Sequence, residues 1–252
     1  MPELPEVETV RRHIAPVLEG ARIESVVLTR ARMARRNSRP EDVVDRLMGR
    51  RVGGVGRHGK FLLIEVEGDL TWVIHLGMSG RMTVASPEDD LDPHTHLRVA
   101  TDRGDEVRLI DPRTFGFVAV FTPEELGADP LARLGPDALD ALPDLPTLRS
   151  RLAGRSAPIK SLLLDQRVLA GLGNIYADEV LFRAGIRPSR PGGKVTDREL
   201  AELLEAVPEV LTAGLASGGT SLADMSYLLP DGRAGAYLER LAVYGRPGLP
   251  CL

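Results

Sequence analysis

Between Arg22 and Phe121 the chain is cut into six short apolar or alternating stretches: Arg22–Thr29, Lys60–Glu67, Thr71–Leu76, His96–Thr101, Glu106–Asp111 and Gly116–Phe121. Turn residues separate them, among them Gly53-Gly54, Asp102–Gly104 and the run Ser86–Pro93. Many short strands at this spacing predict a β-sandwich or barrel. Ahead of them, Val7, Val10, Ile14, Val17 and Leu18 recur at helical spacing and predict a helix from Pro5 to about Leu18. Pro5 suits its first turn, and Pro16 should kink or end it. From about Leu131 the character changes. Leu145–Ala153, Ile159–Leu164, Ile175–Ala184, Asp197–Ala213 and Arg233–Leu241 carry helical periodicity, and the break falls near Glu124–Pro136. The expected fold class is α+β in two domains: a β-sandwich with flanking helices over residues 1–125 and a helical domain over 126–252. No internal repeat or low-complexity tract interrupts this division.

Composition narrows the setting. Apolar residues make up 43% of the 252 residues, enough to bury a core. The one cysteine, Cys251, rules out a disulfide framework or a multi-cysteine metal site within these residues. No apolar run approaches the roughly 20 residues needed to cross a bilayer, and the acidic MPELPEVETVRR start is unlike a signal peptide. A soluble, cytoplasmic protein with no membrane partner is expected. The net charge of −4 argues against a nonspecific polyanion binder, yet it divides unevenly: +5 over residues 1–60, −10 over 61–150 and +1 over 151–252. A local basic groove can still meet a polyanion, because the groove's own field is what that partner feels. The cluster Arg30, Arg32, Arg35, Arg36 and Arg39 reads as a phosphate-binding loop or as a merely solvated one.

Four motifs carry the chemistry. In Met1-Pro2, removal of Met1 would leave Pro2 with a secondary amine able to form an iminium with a sugar aldehyde. Glu3 and Glu6 lie close enough to act as general acid or base. Taken alone, however, this stretch is more simply a surface terminus with an acid-rich helix start, which the helix dipole favours. Gly56-Arg57-His58-Gly59-Lys60-Phe61 reads as a turn that sets Lys60 at the mouth of a strand, where it either meets a phosphate or stays solvated. His75–Gly80 and Asp111–Gly116 offer Met78, Arg113 and Phe115, which could wedge into a base stack if exposed. Read alone, Met78 and Phe115 are ordinary core residues. The fourth motif joins Ile159–Gln166 to Gly171–Glu179: a short helix, a glycine-rich double turn and Asn174 as N-cap of a second helix. Free backbone N–H groups at such an end suit a DNA phosphate.

MPELPEVETVRR, GRHGKF, HLGMSG, DPRTFG, IKSLLLDQ, GLGNIYADE, GGTSLADM and VYGRPGLPC occur in order, and together they resemble the bacterial formamidopyrimidine-DNA glycosylases over essentially the whole chain. The resemblance implies a helix–two-turns–helix motif in the helical domain. It also implies a bifunctional base-excision repair enzyme, a DNA glycosylase and AP lyase. Such an enzyme removes 8-oxoguanine and formamidopyrimidines through a Schiff base, then cleaves the strand by β- and δ-elimination. It further implies Pro2 as nucleophile, Glu3 as general acid–base group and Lys60 as the lysine of β-elimination. Met78, Arg113 and Phe115 would fill the void left by the flipped nucleotide. His94, Lys160 and Asn174 would contact DNA, and Gly219, Thr220 and Ser221 would close on the lesion base. Damaged double-stranded DNA is the implied partner, with a monomer working at the nucleoid.

Some positions depart from the family pattern. The family continues past Cys251 into a four-cysteine zinc finger, so no cofactor is expected within this chain: Cys251 reads as a ligand cut off from its partners by truncation, or the chain is a natural fingerless member, or the finger is supplied by something else. Weaker DNA binding and impaired δ-elimination are the expected consequences. Thr114 stands where many members carry a basic residue, and Ala223 where many carry arginine. Two rival readings are an endonuclease VIII-type enzyme for oxidised pyrimidines and a non-catalytic binder of damaged DNA. ELPEVET, Met78 and Phe115 favour the purine branch.

Overall fold

The computed structural model describes residues 1–221, 227–229 and 232–250. Helix α1 (Leu4–Leu18) buries Val7, Val10, Ile14 and Leu18 along one face and ends two residues after Pro16. Strand β1 (Ile23–Leu28), a 3-10 turn at Ala31–Ala34 and the short helix α2 (Asp42–Leu47) follow. The remaining strands are β2 (Val52–His58), β3 (Phe61–Val66), β4 (Leu70–His75), β5 (Arg81–Ala85), β6 (Thr95–Thr101), β7 (Glu106–Ile110) and β8 (Phe117–Phe121). Among the described residues they form two four-stranded antiparallel sheets, ordered β1-β6-β7-β5 and β2-β3-β4-β8. The expected β-sandwich is present, with Leu62, Ile64, Trp72, Ile74, Leu97, Val99 and Leu109 packed with the buried face of α1 in one core.

Two strands escape the sequence pattern. Gly53-Gly54, read as a turn, lies within β2, where the pairing with β3 slips between Val52 and Val55. Gly56, Arg57 and His58 belong to the same strand, so the turn shrinks to Gly59-Lys60. Glycine weakens the side-chain alternation by which a strand is recognised, and it commonly marks such a bulge. In β5 only Met82 is fully buried, so the apolar signal is too thin to read.

Helix α3 (Pro123–Ala128), capped by Thr122, leads to a 3-10 turn at Pro130–Arg133 and then to the helical region. That region holds α4 (Leu145–Leu152), α5 (Ile159–Leu164), α6 (Asn174–Arg183) and α7 (Asp197–Ala216) around a second core that includes Leu163, Tyr176, Val180, Leu203 and Leu211. Leu4 of α1 is buried in this second core rather than the first, so the opening helix serves both. Arg233–Leu241 is not the helix its periodicity predicts. It keeps only a 3-10 turn at Tyr237–Arg240, because Ala236 N–H is spent on Ser217 O at 2.9 Å and Tyr237 N–H on Gly219 O at 3.1 Å. Those donors pair with the loop after α7 instead of with a helix of their own.

Candidate active site

The N-terminus is not a solvated end. Glu3 is 2% exposed, Glu6 1% and Lys60 5%, and Pro2 is buried with them. Leu4 N–H donates to Gly171 O at 3.1 Å, laying the start of α1 against the glycine-rich double turn. The Glu3 carboxylate then accepts three backbone N–H groups: Gly173 at 2.5 Å, Ile175 at 2.9 Å and Tyr176 at 3.3 Å. This corrects two expectations. The N-cap of α6 is Gly173, and Asn174 is the first helical residue, with its side chain exposed. These N–H groups also do not await a phosphate. Gly173 has no side chain to cap its own helix, and Glu3 supplies both the acceptor and the negative charge that such an end favours.

Burial sets the electrostatics. Desolvation pushes Glu3 up to about 7, with neighbouring Glu6 adding to the rise, while the Lys60 ammonium and the N–H groups of Ile175 and Gly173 pull it down. Glu6 is likewise raised by burial, against hydrogen bonds from Thr220, Glu3 and Tyr176. Burial lowers Lys60, although the two carboxylates work to keep it charged. Proton-carrying groups adjusted toward neutrality in a closed site are suited to acid–base chemistry.

Glu6 also reaches the loop after α7. Its carboxylate accepts Glu3 N–H at 2.9 Å, the Tyr176 hydroxyl at 2.9 Å and Thr220 N–H at 2.7 Å. Gly219 has φ +82°, and a Cβ there would stand 2.7 Å from Glu6 Oε1. Ser221 Oγ donates to Tyr227 O at 2.7 Å and accepts Gly235 N–H at 2.8 Å. Gly219, Thr220 and Ser221 are therefore held beside the N-terminus. Ala223, singled out in the same loop, lies outside the described residues.

The turn bearing Lys60 is gripped from the helical side. Gly59 N–H donates to Asp137 Oδ2 at 2.7 Å, His58 Nε2 donates to Gly135 O at 2.8 Å, and Arg57 Nη1 donates to Asp137 Oδ2 at 2.5 Å. Gly59 adopts φ +56°, and a Cβ there would meet that of Ala170 at 2.9 Å. His75 had no role in the sequence reading beyond its place in HLGMSG. Its ring stacks on Phe117 with centroids 5.7 Å apart, and burial, with Lys60 next, lowers it to about 4. The neutral ring accepts Gly77 N–H on Nδ1 at 3.1 Å.

Met78, Arg113 and Phe115 form a second group. Met78 is 37% exposed and Phe115 46%, which overturns their reading as core residues. Arg113 Nη2 lies 3.5 Å from Met78 Sδ, and its guanidinium sits 4.9 Å from the centre of the Phe115 ring. The two loops that carry them are tied together by Asp111, wholly buried, which accepts the Ser79 hydroxyl at 2.7 Å, Gly116 N–H at 2.8 Å and Arg113 N–H at 3.3 Å. Thr114 stands at φ +54°, a left-handed conformation uncommon outside glycine.

The remaining candidates are spread out. His94 is exposed just before β6, its carbonyl accepting Asp111 N–H at 3.0 Å. Lys160 of α5 is not a free cation, since its Nζ pairs with Asp178 of α6 at 2.8 Å. In the arginine cluster, Arg39 pairs with Asp42 at 2.7 Å and Arg36 with Asp129 at 3.5 Å, so part of it is neutralised locally. Among the described residues no three His, Cys, Asp or Glu side chains group as a metal site. Cys251 lies outside those residues. No helix among the described residues is long and apolar enough to cross a membrane. Sequence reasoning missed Tyr176, Asp111 and Asp137 as organising residues. Tyr176 and Asp111 at least lay inside quoted motifs, whereas Asp137 had no local signal.

Comparison with known proteins identifies the relatives of this arrangement. Residues 1–118 match the family profile described as the formamidopyrimidine-DNA glycosylase N-terminal domain, and residues 134–226 match the H2TH domain of the same enzymes. The formamidopyrimidine-DNA glycosylase of Rhodospirillum rubrum is 46% identical, covering 100% of this chain and 89% of that protein. That of Gluconobacter oxydans is 44% identical, covering 100% and 90%. Among solved structures, the MutM (Fpg) protein of Thermus thermophilus superposes with a TM-score of 0.87 at 41% identity, over 99% of this chain and 90% of that one. The Lactococcus lactis Fpg in complex with DNA containing an abasic site gives 0.88 at 30% identity, with the same coverage.

Proposed function

The chain belongs to the formamidopyrimidine-DNA glycosylase family, and from that premise we propose how its residues excise oxidised purines from damaged DNA and cut the abasic strand. The protein is a DNA glycosylase and AP lyase of base-excision repair. The single observation that carries the assignment of roles is the buried cluster of Glu3, Glu6 and Lys60 around Pro2, closed by Thr220.

In Met1-Pro2 the proline nitrogen is an amide whose lone pair is delocalised, so the chemistry begins once Met1 is removed. The freed Pro2 nitrogen attacks C1′ of the damaged nucleoside. The glycosidic bond breaks, and the base departs with its electron pair and takes up a proton. Ring opening of the sugar leaves an iminium between Pro2 and C1′. Loss of a C2′ proton then expels the 3′ phosphate in β-elimination. Glu3, with both protonation states populated near neutral pH, supplies and takes the protons. Lys60, buried yet facing two carboxylates, lends positive charge to the departing phosphate. Met78, Arg113 and Phe115 occupy the gap in the duplex, which offsets the few kcal/mol that extruding a base costs. His94, Lys160 and Asn174 line the DNA backbone, Lys160 exchanging Asp178 for a phosphate as it does so. Genomic DNA as substrate supports a cytoplasmic, nucleoid-associated setting, and a single chain carrying every residue of this scheme supports a monomer.

Borohydride trapping on a duplex with one 8-oxoguanine opposite cytosine, with the N-terminal residue checked by mass spectrometry, tests the scheme. A covalent adduct that peptide mapping places on Pro2, and that disappears when Met1 is retained and the Pro2 nitrogen stays an amide, is expected. A folded protein that has lost Met1 and yields no adduct, while still binding the duplex, would leave only a binder of damaged DNA. Oxidised pyrimidines in place of 8-oxoguanine distinguish the purine from the pyrimidine branch.

A further inference from the structure

The arginine cluster contains one member whose partners are neither acids nor solvent. Arg35, just after the 3-10 turn at Ala31–Ala34, donates Nη1 to Gly116 O at 2.5 Å and Nη2 to Phe115 O at 2.9 Å. Its guanidinium also lies 5.5 Å from the centre of the Phe117 ring. The segment is docked where this can happen. Met33 and Ala34 are buried in the first core, and the Asn37 side chain pairs with both backbone groups of Val120 in β8, accepting its N–H at 3.0 Å and donating to its carbonyl at 2.7 Å. Phe115 is thus held from two directions. Asp111 takes the N–H groups of Arg113 and Gly116, and Arg35 takes the carbonyls of Phe115 and Gly116. Gly77 closes the third side, since a Cβ there would stand 2.3 Å from Gly116 N.

We propose that Arg35 is a positioning residue whose forked guanidinium fixes the Phe115–Gly116 backbone so that Phe115 projects ready to enter the base stack. The inference rests on the wedge role given above to Met78, Arg113 and Phe115. The chemistry favours arginine at this place. Two carbonyls presented side by side match the planar fork, whereas a lysine ammonium reaches one of them and leaves the other without its donor. A peptide between two fixed carbonyls loses the freedom it would otherwise give up on DNA binding, so the wedge enters with its ordering cost already met. Thr114, left-handed at φ +54°, is the sort of strained residue that persists only when its surroundings over-determine it.

The test uses the full chain and a duplex with a tetrahydrofuran abasic analogue opposite 2-aminopurine, whose fluorescence rises when a wedge opens the stack. Arg35→Met is expected to weaken binding to this duplex and its fluorescence change by about tenfold, the scale of losing charge-assisted hydrogen bonds, with Arg35→Lys in between. In a Phe115→Ala background, Arg35→Met should change binding by less than about twofold, because residues acting through one another are not additive. Arg35 is at the surface, and an unchanged melting temperature separates positioning from unfolding. Equal losses in both backgrounds would make Arg35 a direct DNA contact and overturn the proposal, as would an unchanged fluorescence response in Arg35→Met. Wild-type insertion without borohydride trapping would sink the catalytic scheme and leave this inference standing. Trapping without any wild-type insertion would sink the inference alone.

Discussion

Glu3 Oε2 accepts the Gly173 N–H at 2.5 Å, joining two residues 170 positions apart. Glu3 caps α6 as well as standing beside Pro2, so the candidate catalytic acid is held by the helical region as well as by its own helix, where Glu6 accepts its N–H. Moving either partner moves the other.

Gly173→Ala tests that dependence. A Cβ at 173 would lie 2.4 Å from the Glu3 carboxyl carbon, so the carboxylate has to leave its three N–H donors. We expect a loss of about 2–3 kcal/mol in urea unfolding, the scale of stranding buried donors, and an excision rate down by about 100-fold or more. Single-turnover kinetics at wild-type rates would show that Glu3 does not depend on this cap.

The raised pKa of Glu3 sets a sign for stability against pH. With the folded value about 7 against 4.5 for the free side chain, the folded state holds the proton longer than the unfolded state. The associated stability is fully present below pH 4.5 and is lost as pH rises through about 7. Comparing wild type with Glu3→Gln isolates this contribution. The wild type should lose roughly 3 kcal/mol relative to the variant between pH 4.5 and 7.5. Parallel stability curves would mean that Glu3 titrates as if exposed.

Lys60→Met removes the positive charge that holds Glu3 down. The Glu3 carboxyl resonance, followed by NMR in labelled protein, should then titrate at higher pH than in the wild type. Strand cleavage should fall by about tenfold or more, in line with losing a charged group at the leaving phosphate. A Glu3 titration that stays in place would separate the two residues electrostatically.

Asp137→Ala strands Arg57, whose side chain is 1% exposed, and removes the acceptor of Gly59 N–H. Breaking a buried pair from one side costs about 3 kcal/mol, softened here because Glu8 and Asp140 also meet Arg57. Differential scanning calorimetry should show a melting point several degrees lower. Replacing both partners with apolar residues, as in Arg57→Met with Asp137→Leu, should recover part of the loss.

Much of the fold is legible from local pattern. The helical spacing of Val7, Val10 and Ile14 marks α1, and the apolar runs of Glu106–Asp111 and Gly116–Phe121 mark β7 and β8, each buried along its whole length. Where pattern fails, the cause is specific. Glycines thin the signal of β2, and Ala236 and Tyr237 give their N–H groups to the 217–219 loop, which no periodicity reveals. The candidate site divides in the same way. Pro2, Glu3, Lys60 and Phe115 stand out by their motifs, but Tyr176 binding Glu6, Asp137 holding the Lys60 turn and Arg35 holding Phe115 are meetings across 170, 78 and 80 positions.

By itself the sequence determined the kinds of element, their order and the identity of the reactive groups, because periodicity and side-chain chemistry are local properties. Tertiary structure decided which of those groups are exposed and which are desolvated. Glu3 and Glu6, read alone as surface acids at a helix start, are buried by α6 and the loop after α7, and that burial raises both. Met78 and Phe115, read alone as core, stand exposed on loops that the buried Asp111 ties together. Burial is a property of everything packed around a residue, and what packs around Glu3 and Phe115 arrives from far along the chain.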